Sequence, residues 1–162
     1  MAGQIGGGLT VCARSFDRQV AVRVYINLKG EKLKDYMFLT YSVYHQMLDQ
    51  LMQLLKKDDR IKNIRTVYGV SRGGLPIAVH LSHFMEWKFA NDLFDDWIEH
   101  TLIVDDIAHT GKTLARGSGL YLTATLFYRE ESVIKPDFYV AKATKWIVFP
   151  WEKPDETPNR PL

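Results

Sequence analysis

The stretch that decides the fold is Thr101-Leu102-Ile103-Val104-Asp105-Asp106-Ile107-Ala108-His109-Thr110-Gly111-Lys112-Thr113. The run Thr101–Val104 is short and apolar on both faces, which predicts a strand buried in a parallel sheet. The carboxylates of Asp105 and Asp106 follow at the carboxyl end of this predicted strand, where open α/β sheets bind their ligands. The pattern therefore predicts an α/β protein with a ligand site at this point of the chain.

The segment Thr110–Thr113, here called the Thr110 loop, combines a glycine, two hydroxyls and the amides of a starting helix. Such a combination can surround a phosphate. The loop also looks like the end of a P-loop, but that motif needs a glycine where Asp106 stands. Carboxylates repel nucleotide phosphates but accept hydrogen bonds from ribose hydroxyls, so the residues favour a sugar phosphate. The alternative is an ordinary strand–turn–helix unit with a capped helix and solvated aspartates.

The segment Leu102–Thr113 resembles the phosphoribosyl-pyrophosphate-binding motif of the type I phosphoribosyltransferases. A second unit of the same kind precedes it, with a predicted strand at Thr66–Val70 and a predicted helix at Leu75–Met85. The connection Ser71-Arg72-Gly73-Gly74, here called the Ser71 loop, resembles the pyrophosphate loop of purine members of that family. In that family the peptide bond between the first two loop residues is often cis. Without the resemblance, the loop would be a glycine turn with a surface arginine.

Two further segments carry the resemblance. Thr123–Tyr128 with Arg129 resembles the strand that carries a basic base-reading residue in purine enzymes. Pro136–Trp151 resembles their C-terminal hood, in which an aromatic side chain stacks on the purine. By resemblance, Trp146 stacks on the base and Ile147 makes main-chain contacts with it. From the residues alone, Trp146 could equally be a core tryptophan.

The resemblance runs from about Phe38 to Glu152 and is to compact prokaryotic xanthine/guanine/hypoxanthine enzymes, with four departures. His109 replaces an acid proposed to exchange a proton with purine N7, and Arg129 replaces the usual base-reading lysine. Glu86–His100 leaves little room for the loop that normally closes over the site. The helix after Thr113 is shortened by two glycines, each of which costs a helix interior about 1 kcal/mol. The last two departures bear on the catalytic rate, because lid closure excludes water from a reactive ribosyl cation.

The resemblance implies a parallel sheet flanked by helices, with a small C-terminal hood. It implies transfer of the phosphoribosyl group from phosphoribosyl pyrophosphate to a 6-oxopurine, which gives a nucleoside 5′-monophosphate and pyrophosphate. Catalytic roles fall on Asp105, Asp106 and His109, and purine contacts fall on Arg129, Trp146 and Ile147. Contacts to phosphoribosyl pyrophosphate fall on Ser71, Arg72, Gly73, Gly74, Asp105, Asp106, Ala108, His109, Thr110, Gly111, Lys112 and Thr113.

Magnesium is the expected cofactor, held mainly by substrate oxygens and water, because Mg²⁺ rarely uses an all-protein cage. A homodimer or higher homo-oligomer is also expected. Two alternatives remain open. The chain could be a regulator that keeps the fold as a ligand sensor or nucleic-acid binder, or a weakly catalytic paralogue that only binds nucleotide.

Amino-acid composition limits the class of protein, its partners and its expected location. The 162 residues carry 46% hydrophobic and 25% charged side chains, which is ordinary for a globular protein. The net charge of +2 gives no signal for nucleic acid. Cys12 is the only cysteine, so an internal disulfide is excluded, which fits a reducing cytosol. No apolar run approaches the roughly 20 residues that cross a bilayer, and the start resembles no signal peptide. We therefore expect a cytoplasmic protein that does not act at a membrane.

The remaining segments predict three regions: an N-terminal β-hairpin extension at 1–37, the phosphoribosyltransferase-like domain at 38–152 and a disordered tail at 153–162. The alternation over Val20–Leu28 predicts a half-buried strand, paired with Thr10–Arg14 across a turn at Ser15–Arg18. Met1–Gly8 is expected to be loose, and Lys29–Asp35 to be a polar connection. Further expectations are a helix after the N-cap Thr40 with an apolar stripe of Val43, Met47, Leu51, Leu54 and Leu55, an edge strand at Trp87–Phe89 and a strand at Phe138–Val140.

Overall fold

The computed structural model describes residues 3–5, 9–17, 20–26, 32–93, 99–116 and 119–152, with side chains from Tyr36 onwards. The chain forms two compact units, one of Met1–Gln46 with Ala143–Leu162 and the other of Met47–Lys142. Within the described ranges, no helix has the length and apolar character needed to cross a bilayer. The expected tail at 153–162 lies outside the described residues. The predicted division at residues 37 and 152 stays a prediction.

The first unit contains a five-stranded sheet in the order β1-β2-β3-β4-β10. Strands β1 to β4 pair antiparallel, and β10 adds to β4 in parallel. The predicted period-two strand and its hairpin partner are confirmed as β3 and β2. The strand bounds are β1 Gly3–Ile5, β2 Leu9–Asp17, β3 Val20–Ile26, β4 Lys32–Leu39 and β10 Trp146–Val148.

Three sequence expectations for this unit are wrong. The turn expected at Ser15–Arg18 starts later, because β2 stays paired through a register shift between Ser15 and Asp17. The expected polar connection Lys29–Asp35 contains the start of β4, because strand pairing uses the backbone and tolerates polar side chains. The segment expected to be loose contains β1, which pairs with β2.

Helix α1, Tyr41–Lys56, begins as the sequence predicts. The amide of Val43 donates to Oγ1 of Thr40 at 3.3 Å, so Thr40 is the N-cap. The predicted stripe is only partly right, because Leu54 is 41% exposed. The centre of the buried face lies between Leu48 and Leu51, and at 100° per residue Leu54 falls at its margin.

The second unit contains a sheet in the order β6-β5-β7-β8-β9, and every pairing in it is parallel. This confirms the α/β class and the predicted strands. Helix α2 packs against β5 and β7. Helix α3 has four residues, as expected for a shortened helix. The bounds are β5 Thr66–Gly69, α2 Gly74–Phe84, β6 Lys88–Ala90, β7 Thr101–Ala108, α3 Lys112–Ala115, β8 Leu122–Tyr128 and β9 Phe138–Lys142.

The strand order of this sheet reverses between β5 and β7, because β6 lies on one side of β5 and the later strands lie on the other. Open α/β sheets bind ligands at such a switch point. β5 ends at Gly69, opposite Val104, whereas β7 continues to Ala108 along β8. The expectation that the strand ends at Val104 is therefore wrong, since pairing with Thr125 keeps Asp105 in the strand. Beyond Val104, β5 no longer pairs with β7.

The side chain of Asp137 holds the connection between β8 and β9 in place. Its Oδ2 accepts from the amide and from the hydroxyl of Thr123, both at 2.9 Å, and its Oδ1 accepts from Arg60 at 3.1 Å. Thr123 is 1% exposed, so Asp137→Ala leaves a buried donor without a partner. We expect a loss of about 1–3 kcal/mol of unfolding free energy by urea denaturation.

The matched control is Asp59→Ala, because the Asp59 side chain is 90% exposed and pairs only on the surface with Lys62. Its effect should stay within about 0.5 kcal/mol. Equal losses in the two variants would show that Asp137 does not hold this connection.

Candidate active site

The Ser71 loop joins β5 to α2 at the switch point. The amide of Val70 donates to the carbonyl of Val104 at 2.9 Å, and the amide of Gly74 donates back to the carbonyl of Val70 at 2.9 Å. The peptide bond between Ser71 and Arg72 is cis, as the family resemblance implied. Both side chains are exposed. The loop is thus tied to β7 and presents Ser71 and Arg72 to solvent.

Two glycines bring the Ser71 loop against β7. A Cβ added to Gly73 would overlap the carboxylate of Asp106, and a Cβ added to Gly74 would overlap the carbonyl oxygen of Val104. No side chain fits at either position without displacing these groups. The Ser71 loop and the acidic pair, which are separate motifs in the sequence, therefore belong to one site.

Asp105 and Asp106 are both half-buried in this site. The Oδ1 atom of Asp105 accepts from the amide of Asp106 at 2.9 Å, and Oδ1 of Asp106 accepts from the amide of Ile107 at 2.7 Å. Burial, and then the charge of Asp106, raise the pKa of Asp105 well above its ordinary value. Such perturbed carboxylates cluster at functional sites. A bound positive charge or hydroxyl donor would therefore favour the ionised form of Asp105.

The Thr110 loop follows β7 directly. Gly111 has φ +71°, a left-handed conformation that favours glycine, and a Cβ there would overlap the hydroxyl of Ser132. Gly111 is the N-cap of α3 and makes no side-chain capping bond. The side chains of Thr110, Lys112 and Thr113 are exposed. The loop therefore offers two hydroxyls and an ammonium group within a few residues of the acidic pair.

The segment 129–133, which follows β8, runs beside this loop. The amide of Arg129 donates to the carbonyl of Ala108 at 3.0 Å, and the amide of Val133 donates to the carbonyl of Thr110 at 3.0 Å. His109 lies between these two anchored carbonyls and is half-buried. The roles of His109 in proton transfer, in phosphate binding or at the start of α3 stay predictions.

One charged residue of this region, Glu131, was not identified from the sequence. Oε1 of Glu131 lies 3.5 Å from Nη1 of Arg129. A hydrogen bond from its own backbone amide lowers the pKa of Glu131, and the charges of Arg129 and His109 lower it further. The position two residues after Arg129 could have suggested a contact, but only the fold shows that His109 is near.

The structure brings together most of the predicted site residues. The Ser71 loop, the acidic pair, Ala108, His109, the Thr110 loop and Arg129 all belong to the second unit. Trp146 and Ile147 belong to the first unit, where β10 pairs them with Tyr36 and Met37 of β4. Trp146 is half-buried and Ile147 is buried. Their purine contacts stay predictions.

The acidic pair also suits the expected magnesium. The described residues contain no group of three or more histidine, cysteine, aspartate or glutamate side chains placed to hold a metal ion. Mg²⁺ commonly binds through one or two carboxylates, water and substrate phosphates. Asp105 and Asp106 supply hard oxygen ligands of that kind beside the Ser71 loop. The residues present therefore fit an ion that is shared with a phosphorylated substrate.

No protein-family model and no curated protein matches this sequence. Several solved structures do match this chain. A purine phosphoribosyltransferase from Pyrococcus horikoshii is 29% identical, with 73% of this chain and 95% of that chain covered at a TM-score of 0.61. The xanthine-guanine-hypoxanthine enzyme of Helicobacter pylori is 18% identical, with 72% and 94% covered at 0.61. An orotate phosphoribosyltransferase from Aeropyrum pernix is 21% identical, with 74% and 85% covered at 0.51. The last two show the shared fold.

The raised pKa of Asp105 has a consequence for stability. Its folded pKa lies above its unfolded value of about 3.9, so the folded state loses stability as pH rises through the interval between them. Asp105→Asn keeps the oxygen that accepts from the Asp106 amide and removes the charge. At pH 7 we expect the variant to be more stable by at least about 1 kcal/mol, or about 2–4 °C in Tm.

Thermal unfolding followed at several pH values checks this. The gain in Tm should shrink as pH falls toward about 4, the ordinary aspartate range. Asp49→Asn, at an exposed position on α1, is the control and should show no such pH-dependent gain. A less stable Asp105→Asn variant at pH 7 would mean that the Asp105 carboxylate is not penalised by its surroundings.

Proposed function

We propose that the chain is a type I phosphoribosyltransferase that transfers the phosphoribosyl group from phosphoribosyl pyrophosphate to a 6-oxopurine, and its similarity to the Pyrococcus horikoshii purine enzyme supports this. The products are a nucleoside 5′-monophosphate and pyrophosphate. One observation carries the proposal: the Ser71 loop lies against Asp106 at the switch point of the parallel sheet. A pyrophosphate-binding loop, ribose-binding acids and a phosphate loop are all required by this substrate. The Pyrococcus horikoshii purine enzyme supports the purine assignment.

In this reaction, Asp105 and Asp106 accept hydrogen bonds from the ribose hydroxyls. As the bond from C1′ to pyrophosphate breaks, positive charge develops on the ribosyl group. Two carboxylates in a half-buried site stabilise that charge more than they stabilise the neutral ground state. The raised pKa of Asp105 means that charge development on the substrate favours its ionised form. The acidic pair thus stabilises the transition state more than the bound substrate.

The two loops hold the two ends of the substrate. Arg72 presents a fork of donors, and the backbone of Ser71–Gly74 approaches closely because Gly73 and Gly74 have no side chain. These groups bind the pyrophosphate, while Thr110, Lys112 and Thr113 bind the 5′-phosphate. A magnesium ion would be held mainly by substrate oxygens and water, and it would supply positive charge to the pyrophosphate. The ribose is then held over the acidic pair.

The base occupies the neighbourhood of Arg129 in this proposal. Arg129 donates to the 6-oxo group, Trp146 stacks on the ring and Ile147 contributes main-chain contacts. His109 exchanges a proton with N7, since an imidazole titrates near working pH. A cytoplasmic location and a homo-oligomeric state complete the proposal.

A regulator that binds the substrate without turnover is the second candidate. One observation favours it: β6 ends at Ala90 and β7 begins at Thr101, so only residues 91–100 are left for a closing loop. A site that stays open admits water, which competes for the ribosyl cation. The two candidates predict the same ligand but differ in product formation.

Incubation with phosphoribosyl pyrophosphate, magnesium and each of guanine, xanthine, hypoxanthine and adenine separates the candidates. We expect monophosphate from 6-oxopurines, with adenine at least about tenfold slower, because a guanidinium cannot accept from a 6-amino group. The double variant Asp105→Asn with Asp106→Asn is the control and should form no product. Substrate binding without product from any base would support the regulator, and activity in the double variant would refute the site assignment.

His109 is tested separately. If it transfers the proton at N7, His109→Ala should lower kcat by about 10²–10⁴-fold. His109→Asp should restore part of the rate, because other members of the family use a carboxylate there. Binding of phosphoribosyl pyrophosphate should change much less. If His109 only contacts the 5′-phosphate, both variants would weaken substrate binding, the Asp variant more, and kcat at saturation would stay near wild type.

A further inference from the structure

Arg129 and Glu131 place opposite hydrogen-bonding groups side by side at the proposed base site. Nη1 of Arg129 and Oε1 of Glu131 are 3.5 Å apart. Their side chains differ in exposure, at 14% for Arg129 and 66% for Glu131. The arginine is thus largely covered, while the carboxylate faces solvent beside it. A ligand that reaches Arg129 from the solvent side meets Glu131 as well.

This arrangement does not depend on a loose loop. The amides of Arg129 and Val133 bind the carbonyls of Ala108 and Thr110. Between these anchors, the amide of Ser132 donates to the carbonyl of Arg129 at 3.1 Å, and its hydroxyl donates to the carbonyl of Ile134 at 2.6 Å. The backbone that carries Glu131 is therefore fixed against the loop that carries His109.

The neighbouring carboxylate has a different role. Glu130 forms an ion pair with Lys142 of β9. Both partners are exposed, so this pair contributes little to stability. Glu131 interacts instead with Arg129 and with the charge of His109. Two adjacent acids thus point to different partners, and only Glu131 lies with residues assigned to the site.

The pair matches one class of base by its hydrogen-bonding chemistry. A guanidinium only donates and an ionised carboxylate only accepts. Guanine presents, along one edge, the O6 acceptor followed by the N1–H and 2-amino donors. Xanthine carries an oxygen at C2 in place of the amino group, and hypoxanthine carries no substituent there. Guanine alone among these three offers two donors, N1–H and the 2-amino group, in a row after O6.

We propose that Glu131 is a specificity-determining residue that selects 2-amino-6-oxopurines, of which guanine is the simplest. The inference rests on the proposed function and deepens it. Glu131 accepts from N1–H and the 2-amino group while Arg129 donates to O6. Xanthine places its 2-oxo group against the carboxylate, where two acceptors face each other. The order of preference is guanine, then hypoxanthine, then xanthine.

The free-energy cost of engaging the base is small. A pair that is two-thirds exposed on the carboxylate side is weak in water, so Glu131 leaves Arg129 readily. The penalty for the wrong base is larger, because a bound base covers Glu131 and so removes water from a carboxylate that it does not pair with. Sites that pair a substrate NH group reject analogues that lack it more strongly than apolar pockets reject an extra methylene. One carboxylate is therefore enough to set the order.

The test compares kcat/KM for guanine, hypoxanthine and xanthine in wild type and in Glu131→Gln. The amide keeps the size of the side chain, removes its charge and can donate to a 2-oxo group. We expect wild type to favour guanine over xanthine by at least about tenfold, and Glu131→Gln to reduce that ratio about tenfold. Glu130→Gln is the matched control, since it removes one charge from the adjacent position, and its ratio should equal that of wild type.

Hypoxanthine separates this inference from the proposed function, because it has nothing at C2 for Glu131 to contact. If hypoxanthine is used and Glu131→Gln leaves the guanine-to-xanthine ratio unchanged, the role of Glu131 is overturned and the function stands. A uniform change for all three bases also overturns it, since that pattern belongs to a residue that only orients Arg129 or His109. If no purine is used, both proposals fail.

Discussion

The contact between Gly73 and Asp106 is the constraint on which the rest of the site depends. Because the glycine has no Cβ, the loop after β5 closes directly onto the carboxylate of β7. The contact forms where β5 stops opposite Val104 while β7 continues beside β8. A Cβ at Gly74 would overlap the backbone of β7, and a Cβ at Gly73 would overlap the Asp106 carboxylate, so either the loop or the carboxylate would have to move. Two motifs 30 or so residues apart in the chain thus become one binding surface through the absence of two side chains.

The close packing of the two carboxylates also explains why this site lowers the stability of the fold. Asp105 pairs with Thr125 on the neighbouring strand and is half-buried. Burial and the charge of Asp106 both oppose its ionisation, so the folded chain carries a penalty near neutral pH. A sequence selected for stability alone would place a neutral residue there. The retained carboxylates are therefore best understood as a requirement of ligand chemistry, which commonly costs stability at active sites.

Much of this arrangement could be predicted from local patterns. Buried parallel strands, the glycine turn after β5 and the capped start of α1 each depend on short-range periodicity or steric rules, and each is confirmed. The errors come from long-range pairing. β7 continues past Val104 because β8 continues to pair with it, and β4 begins at Lys32 because β3 supplies a partner. Leu54 is exposed because the buried face of α1 is centred elsewhere. None of these depends on the residue alone, so composition and spacing could not reveal them.

Glu131 shows the same limit in the candidate site, because only the folded chain brings its charge near His109. The Glu131 carboxylate interacts electrostatically with Arg129 of its own segment and with His109 of the segment after β7. The local charge balance is thus shared between two segments, 108–110 and 129–133, that the backbone hydrogen bonds hold together. A substitution at Glu131 would therefore change the charge near His109 as well as near Arg129.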